Sequence, residues 1–202
     1  MENAIKKASL TADLTKEERE DMINRYHFQE SDLSQIHALY QALHSLTDAE
    51  VYYRIWPEIQ KGKRAALCVV TLGSGVDAME EIYTDAEELL RVYILECLSN
   101  AMLEKTYQQI EDILFQETGL YVSKYQFPGT DVALEQVREI LKEMSVKNEE
   151  LPVTCNESCV MSPKKSVVFI VGLEEEKIDV CICDNCTKKD CAHRRESKRV
   201  ID

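Results

Sequence analysis

Apolar residues recur at three- and four-residue steps through the first part of the chain, up to about Gln60, and this spacing predicts helices. The stretch TKEEREDMINRYHF opens with Thr15 followed by Glu18, the pattern of a capping box at a helix start. Trp56 stands before a proline and is expected to be a packing anchor beside a helix stop. A second stripe follows one face of the next segment: Leu33, Ile36, Leu39, Tyr40 and Leu43. Residues 1–60 are therefore predicted to form an N-terminal helical segment.

The pattern changes at KGKRAALCVVTLGSG. Ala66 to Leu72 is a β-branched apolar run that ends in Gly73 and Gly75, which predicts a buried strand and a tight turn. A strand followed by glycines and a helix also occurs in phosphate-binding loops. Here the lysines precede the strand and no Gly-Lys-Ser/Thr follows it, so a nucleotide site is not predicted.

The longest helix is predicted to start at a second capping box, Thr84 to Glu87, and to end at Gly119, which supplies a left-handed stop. Cys97 lies in its apolar stripe and is interpreted as a small core residue. Glu104 lies near the same stripe, and periodicity alone favours a solvated carboxylate. The stripe consists of Leu89, Leu90, Tyr93, Ile94, Cys97, Leu98, Ala101, Met102, Ile110, Ile113 and Leu114.

The second half of the chain alternates strand and helix patterns. LYVSKYQF predicts a strand and PGTD a turn, after which Asp131 or Thr130 is expected to cap a helix. SVVFIVGL and IDVCIC predict two further strands. The core face of the helix is predicted to be Leu134, Val137, Ile140, Leu141 and Met144. The whole is predicted to be α+β, with a domain over 61–180 and a cysteine-rich C-terminal segment over 181–202.

Composition narrows the classes of partner. The apolar fraction of 45% is that of a packed domain. Acidic residues outnumber basic ones 37 to 24, a formal net charge of −13 that repels phosphate backbones, so nucleic acid is not an expected partner. No stretch approaches the roughly 20 apolar residues of a membrane helix, and the first twenty residues lack the apolar core of a signal peptide. We therefore expect a cytoplasmic protein whose thiols stay reduced.

In a reducing compartment the C-terminal thiols indicate a metal site or redox groups. Cys183, Cys186 and Cys191 follow the spacing Cys-x2-Cys-x4-Cys, and Cys181 lies two residues before them on the same face of a regular strand. Thiolates in this arrangement suit zinc or an iron–sulfur cluster, and the sequence does not choose between them. Free or redox-exchanging thiols, as in a thiol redox sensor, and thiols without a role stay open. Rival fourth ligands stand in CNESC, at Cys155 and Cys159.

Three stretches resemble, in this order, the activation-domain family of cobalamin-dependent methionine synthase: VVTLGSGVDAME, LECLSNAMLEKTYQQIEDIL and CNESCVMSPKKSVVFIVGL. The resemblance covers about residues 65–194 and is greatest to short stand-alone members, which often end in a Cys-x2-Cys-x4-Cys segment. It implies an α+β fold with a twisted antiparallel sheet and long packed helices. It also implies S-adenosylmethionine as a cofactor and a corrinoid protein or cobalamin-dependent methyltransferase as partner.

The resemblance further implies a cofactor site. Glu104 falls where the family has a helix glutamate near the S-adenosylmethionine pocket. The family's methionine-binding loop reads Arg-x-x-Pro-Gly-Tyr, and SKYQFPGTD takes its place here. Pro128 and Gly129 are kept, Tyr125 stands at the arginine position, and Lys124 lies one residue out of register. The chain thus departs from the family at the residue available to clamp a carboxylate.

Two functions are expected from these observations. One is an auxiliary protein of corrinoid metabolism that helps return an inactive cob(II) centre to cob(I), with an electron-transfer cluster on the C-terminal thiols. The other is a non-catalytic interaction module in which the same thiols bind structural zinc. Exposed apolar positions on the long helix would permit a homodimer.

Overall fold

A computed structural model describes residues 4–60, 63–145, 151–178, 180 and 183. A five-stranded antiparallel sheet with the strand order β1-β2-β3-β7-β4 forms its centre. The strands of this sheet are β1 Lys6–Ser9, β2 Glu50–Gln60, β3 Lys63–Thr71, β4 Tyr121–Gln126 and β7 Ser166–Glu174. Two short strands, β5 Thr154–Cys155 and β6 Met161–Ser162, form a separate hairpin.

Five α-helices cover the sheet: α1 Lys16–Tyr26, α2 Leu33–Leu46, α3 Gly75–Asp85, α4 Leu89–Thr118 and α5 Gln136–Glu143. A single 3-10 turn, Glu30–Asp32, precedes α2. The Thr15–Glu18 capping box predicted for α1 is confirmed, because the Thr15 hydroxyl accepts from the Glu18 N–H and the Glu18 carboxylate accepts from the Thr15 N–H.

The two faces of the sheet carry two hydrophobic clusters. On β3, Ala66, Cys68 and Val70 point to the larger cluster, which α1 to α4 cover. Leu67 and Val69 point to the smaller cluster, which packs against α5 and the β5–β6 hairpin. A strand buried on both faces reads as a continuous apolar run, which is why the sequence of β3 shows no alternation.

The long helix ends as predicted and starts differently. Gly119 has φ +69°, and its N–H donates to the Phe115 carbonyl, so the left-handed stop is confirmed. The capping box predicted at Thr84 and Glu87 is wrong. Thr84 lies inside α3, and Glu87 adopts φ +58° in the short corner between α3 and α4. Cys97 is buried on α4, as predicted.

The helical prediction for the first 60 residues is wrong in two places. Residues 6–9 form β1 and residues 50–60 form β2, and Trp56 lies within β2 rather than beside a helix stop. The β1 and β2 strands join the sheet of the rest of the chain through the β2–β3 pairing. One core cluster accordingly contains Leu43 and Val51 together with Leu98 and Phe169, from both sides of the predicted boundary at residue 60.

The α5 helix has the predicted core face except at its start. Val137, Ile140, Leu141 and Met144 are buried, whereas Leu134 lies before the helix and is exposed. No side chain caps α5, so Asp131 and Thr130 do not have the predicted role. Half of the predicted final strand, IDVCIC, lies outside the described residues, and the described Ile178, Val180 and Cys183 are not in a strand.

Candidate functional site

Glu104 lies in the middle of α4 and faces α1. Its carboxylate is 3.7 Å from the guanidinium of Arg25, in the last turn of α1, and its side chain is 18% exposed. This distance makes an ion pair rather than a direct hydrogen bond. Glu104 is therefore a partly buried, charge-balanced carboxylate and not a fully solvated one.

A second carboxylate, Glu111, lies two helical turns further along α4. Its Oε1 accepts a hydrogen bond of 2.5 Å from the hydroxyl of Tyr125, which is buried in β4. Burial raises the pKa of Glu111, Asp112 raises it further, and the Tyr125 hydrogen bond and Lys177 oppose this shift. The pKa of Tyr125 is raised mainly by burial and also by Glu111. Seven residues of helix separate Glu104 from Glu111 by about 10 Å along the axis, on one side of α4.

Aromatic rings surround the Tyr125–Glu111 pair. The Phe169 ring centroid lies 5.8 Å from that of Tyr125, 5.4 Å from that of Phe127 and 6.0 Å from that of Tyr107. Tyr125 and Phe127 have nearly parallel rings, with centroids 6.2 Å apart. These contacts fix the end of β4 against α4 and β7.

Lys124 lies on the opposite face of β4. It pairs with Gly172 of β7, and a Cβ built on Gly172 would come within 3.1 Å of the Lys124 Cγ. The neighbouring β7 residues on that side, Val168 and Ile170, belong to the cluster covered by α5. The sheet therefore separates the Lys124 side chain from Glu104 and Glu111.

The turn after β4 is closed by its own hydrogen bonds. Gly129 has φ +86°, a conformation that favours glycine, and its N–H donates to the Val132 carbonyl over 2.8 Å. The Asp131 carboxylate accepts from the Phe127 N–H over 2.8 Å. Pro128 forms a β-bridge with Val132. Pro128 and Gly129 thus build a rigid turn next to the aromatic cluster.

The lysines of the resemblance segment SPKK tie the loop before β7 to the helices. The ammonium of Lys165 is nearly buried and lies 2.6 Å from a Glu96 oxygen and 2.8 Å from the Asn100 side-chain oxygen. Lys164 pairs with Glu80 over 2.9 Å. Both contacts anchor α3 and α4 over the sheet.

The cysteines predicted as ligands are only partly described. Cys155 and Cys159 lie in the β5–β6 hairpin and pack against the cluster under α5, where burial and Cys159 raise the pKa of Cys155. Cys183 is half-buried, and Cys181, Cys186 and Cys191 lie outside the described residues. Within the described ranges, no three His, Cys, Asp or Glu side chains come together as metal ligands. A C-terminal zinc or iron–sulfur site stays a prediction.

Sequence reasoning missed Arg25 and Glu111. Arg25 belongs to a helix outside the resemblance, and its contact with α4 is purely tertiary. Glu111 had one available signal, its seven-residue spacing from Glu104 on a single helix.

The comparisons with known proteins show the fold. No family model matches the chain, and no curated protein matches its sequence. Among solved structures, the chain is similar to the crystal structure of the MetH reactivation domain bound to AdoHcy. The likeness covers 89% of this chain and 81% of that one, with a TM-score of 0.54 and 9% sequence identity. Identity this low shows a shared fold alone, and the predicted α+β fold with an antiparallel sheet and long helices is confirmed. In the part of the chain that is described, no helix has the length and apolar character needed to cross a membrane.

Proposed function

We propose that this protein is an auxiliary protein of corrinoid metabolism that assists the reductive reactivation of a corrinoid protein or cobalamin-dependent methyltransferase. The observation that carries the proposal is the fold, which the chain shares with a MetH reactivation domain over most of both chains. The order of the three resemblance stretches supports the same assignment.

The reaction to be assisted is the addition of one electron to a cob(II) centre, which gives cob(I). An iron–sulfur cluster on Cys181, Cys183, Cys186 and Cys191 would supply that electron, whereas zinc on the same thiols would only fix the segment. The basic residues that follow these cysteines would offset the negative charge of a thiolate site.

The described residues fit S-adenosylmethionine or AdoHcy only in part. Carboxylates at Glu104 and Glu111 can accept hydrogen bonds from hydroxyl or ammonium groups, and aromatic rings lie beside Tyr125, the partner of Glu111. The two residues aligned with the family's carboxylate clamp cannot take that role, because Tyr125 is buried against Glu111 and Lys124 is on the other face of the sheet. Binding is therefore expected to be weak, and reduction without methyl transfer is the core of the proposal.

The burial of Tyr125 against Glu111 favours a second candidate function, a non-catalytic interaction module. The Tyr125 hydroxyl donates to Glu111 and is not turned toward a ligand carboxylate. A protein that keeps the packing of this fold but lacks the family's carboxylate-binding arginine is suited to binding a partner without catalysing a reaction.

Two measurements test the proposal. Under anaerobic conditions, the full chain with titanium(III) citrate and free cob(II)alamin should accelerate the loss of the cob(II) spectrum over protein-free controls. Calorimetric titration with AdoHcy should give weak binding that Glu104→Gln reduces about tenfold, the loss of one hydrogen bond to a charged group. Glu139→Gln, an exposed carboxylate of α5 on the other face of the sheet, is the control and should leave binding unchanged.

The outcomes separate the candidates. No acceleration together with no AdoHcy binding would remove the corrinoid proposal and leave the interaction module. Tight AdoHcy binding would contradict the partial fit described above and restore a methyl-donor role.

A further inference from the structure

Four large apolar side chains are exposed within twelve residues of sequence, where α3 turns into α4. Their exposed fractions are 64% for Ile82, 73% for Leu89, 45% for Leu90 and 47% for Tyr93. Single exposed apolar residues are ordinary, but a cluster within twelve residues of sequence marks an interaction surface. We call this cluster, formed by Ile82, Leu89, Leu90 and Tyr93, the corner patch.

The corner patch lies outside the core cluster, although the Tyr93 ring packs against Phe28 of that cluster. The core is reached by other residues of the same two helices, Val76 and Met79 on α3 and Ile94 and Leu95 on α4. Tyr93 instead lies about one helical turn after Leu89 and Leu90, and the three share one side of α4.

The corner patch is held in a fixed shape. The Ala86 N–H donates to the Ile82 carbonyl, and the Glu88 N–H donates to the Tyr83 carbonyl over 2.9 Å, which together close the turn. The Tyr93 ring lies 5.3 Å from the largely buried ring of Phe28. A preformed apolar surface of this kind binds without a large ordering cost.

The segment that contains the corner patch is rich in carboxylates. Residues 77–96 contain seven acidic side chains and one basic side chain, Arg91, which pairs with Glu88 over 2.7 Å. Asp77, Glu80 and Glu96 also have partners on the loop before β7. Glu81, Asp85 and Glu87 are exposed and form no ion pair with another described residue. These three carboxylates form an acidic rim around an apolar centre.

We infer that the corner patch is a docking surface for a partner protein that presents an apolar helix or strip flanked by lysines and arginines. Interfaces pair an apolar core with a rim of complementary charge, and the rim sets the partner and the association rate. A second copy of this chain is disfavoured, because a two-fold dimer through the patch would bring two acidic rims together. The homodimer predicted from exposed positions of α4 is therefore not expected through this surface.

The corner patch is separate from the candidate cofactor site. About thirteen residues of α4 lie between its centre and Glu104, or about 20 Å along the axis. The inference therefore does not rest on the proposed function, and its failure would leave the corrinoid proposal untouched.

The test uses the full chain and two synthetic helical peptides. Both carry leucines along one face; lysines flank that face in the first peptide and glutamates in the second. Fluorescence anisotropy at low and moderate salt measures affinity, and backbone chemical shifts locate the contact. The lysine peptide should bind at least about ten times more tightly than the glutamate peptide, a difference of about 1.4 kcal/mol in binding free energy. The backbone chemical-shift changes should concentrate in residues 81–93.

Three variants separate the contributions. Leu89→Ser with Leu90→Ser should weaken binding about tenfold. The triple variant Glu81→Gln, Asp85→Asn and Glu87→Gln should weaken it at low salt and reduce its salt dependence. The matched control removes three exposed carboxylates elsewhere (Glu139→Gln, Glu175→Gln and Glu176→Gln) and should change affinity less than twofold.

Several results would overturn the inference. Equal loss of affinity in the rim and control triples would mean that overall charge, not the corner, attracts the peptide. Unchanged binding in the serine double variant, or shifts that map elsewhere, would remove the apolar contact. Sedimentation equilibrium that shows a dimer dissociated by Leu89→Ser would make the patch a self-association surface.

Discussion

Tyr125→Phe tests the buried hydrogen bond that fixes the candidate site. The substitution removes only a hydroxyl, so the packing of the ring against Phe169 is kept and no large cavity forms. The lost bond is 2.5 Å long, within the range of charge-assisted O–H···O bonds, and the Tyr125 side chain is only 5% exposed. Hydrogen bonds to charged groups contribute about 1.5–3 kcal/mol, so we expect the free energy of unfolding to fall by about 2 kcal/mol near pH 8.

The loss should depend on pH, and its sign follows from Glu111. Burial raises the pKa of the folded Glu111 above the unfolded value of about 4.3. The folded protein therefore holds the extra proton, and its stability falls as pH rises through the folded pKa. Because the Tyr125 bond opposes this raised pKa, its removal raises the pKa further. The cost of Tyr125→Phe should be small near the unfolded pKa and should grow toward pH 8.

Urea unfolding followed by circular dichroism at a series of pH values measures this cost. Tyr121→Phe is the matched control, because Tyr121 lies in the same strand as Tyr125, its ring stacks on Phe115 of α4, and its hydroxyl bonds to none of the described residues. The control should lose less than about 0.5 kcal/mol. An equal loss in both variants, or a loss in Tyr125→Phe that does not change with pH, would refute the role given to the Tyr125–Glu111 pair.

Three further predictions concern other parts of the chain. Phe169→Ala empties a fully buried position and should cost about 3–5 kcal/mol in urea unfolding; a loss under about 1 kcal/mol would contradict its place in the core. Thr15→Ala removes the cap of α1 and should cost about 1 kcal/mol, measured in the same way, whereas Thr15→Ser should cost little. Anaerobic purification followed by analysis of iron, sulfide and zinc should find metal that Cys183→Ser and Cys186→Ser reduce; metal-free wild-type protein would contradict a C-terminal site.

The elements that could be predicted from the sequence are those with a strong local signal. The central strand around Val69 is a continuous apolar run rich in β-branched residues, and Gly119 ends a helix of 30 residues. In α5, the spacing of Val137, Ile140 and Leu141 identified the buried face correctly. In each case neighbouring residues contain the information, so no tertiary contact is needed.

The missed elements depend on distant partners. β1 is four mostly polar residues whose strand conformation exists because Lys6 to Ser9 pair with β2. In β2, buried Val51 and Tyr53 alternate with the more exposed Tyr52 and Arg54, a period of two that the neighbouring helical stripe and Pro57 obscured. At Glu87, a left-handed backbone in the α3–α4 corner replaces the predicted cap.

The candidate site also combines residues that the sequence could suggest with contacts that depend on tertiary packing. The resemblance assigned Glu104, Tyr125, Pro128 and Gly129 to one cofactor site, and that assignment stays a prediction. It did not show that Tyr125 is paired to Glu111, because that contact depends on how β4 lies against the helix. It also did not show which face Lys124 takes. That face follows from a bulge between Val122 and Lys124, which shifts the strand register.

The pairing of β3 with β7 has a consequence for how the chain is made. The hydrogen-bonded Thr71 and Ser166 are 95 residues apart, and β7 is the strand that joins β4 to the rest of the sheet. At a ribosomal rate of about 5–20 residues per second, the apolar edge of β3 waits roughly 5–20 seconds for its partner. During that interval the nascent protein presents an unpaired strand of β-branched residues, the kind of surface that aggregates or recruits chaperones. Yield during expression should therefore respond to translation speed and temperature more strongly than the stability of the finished protein would suggest.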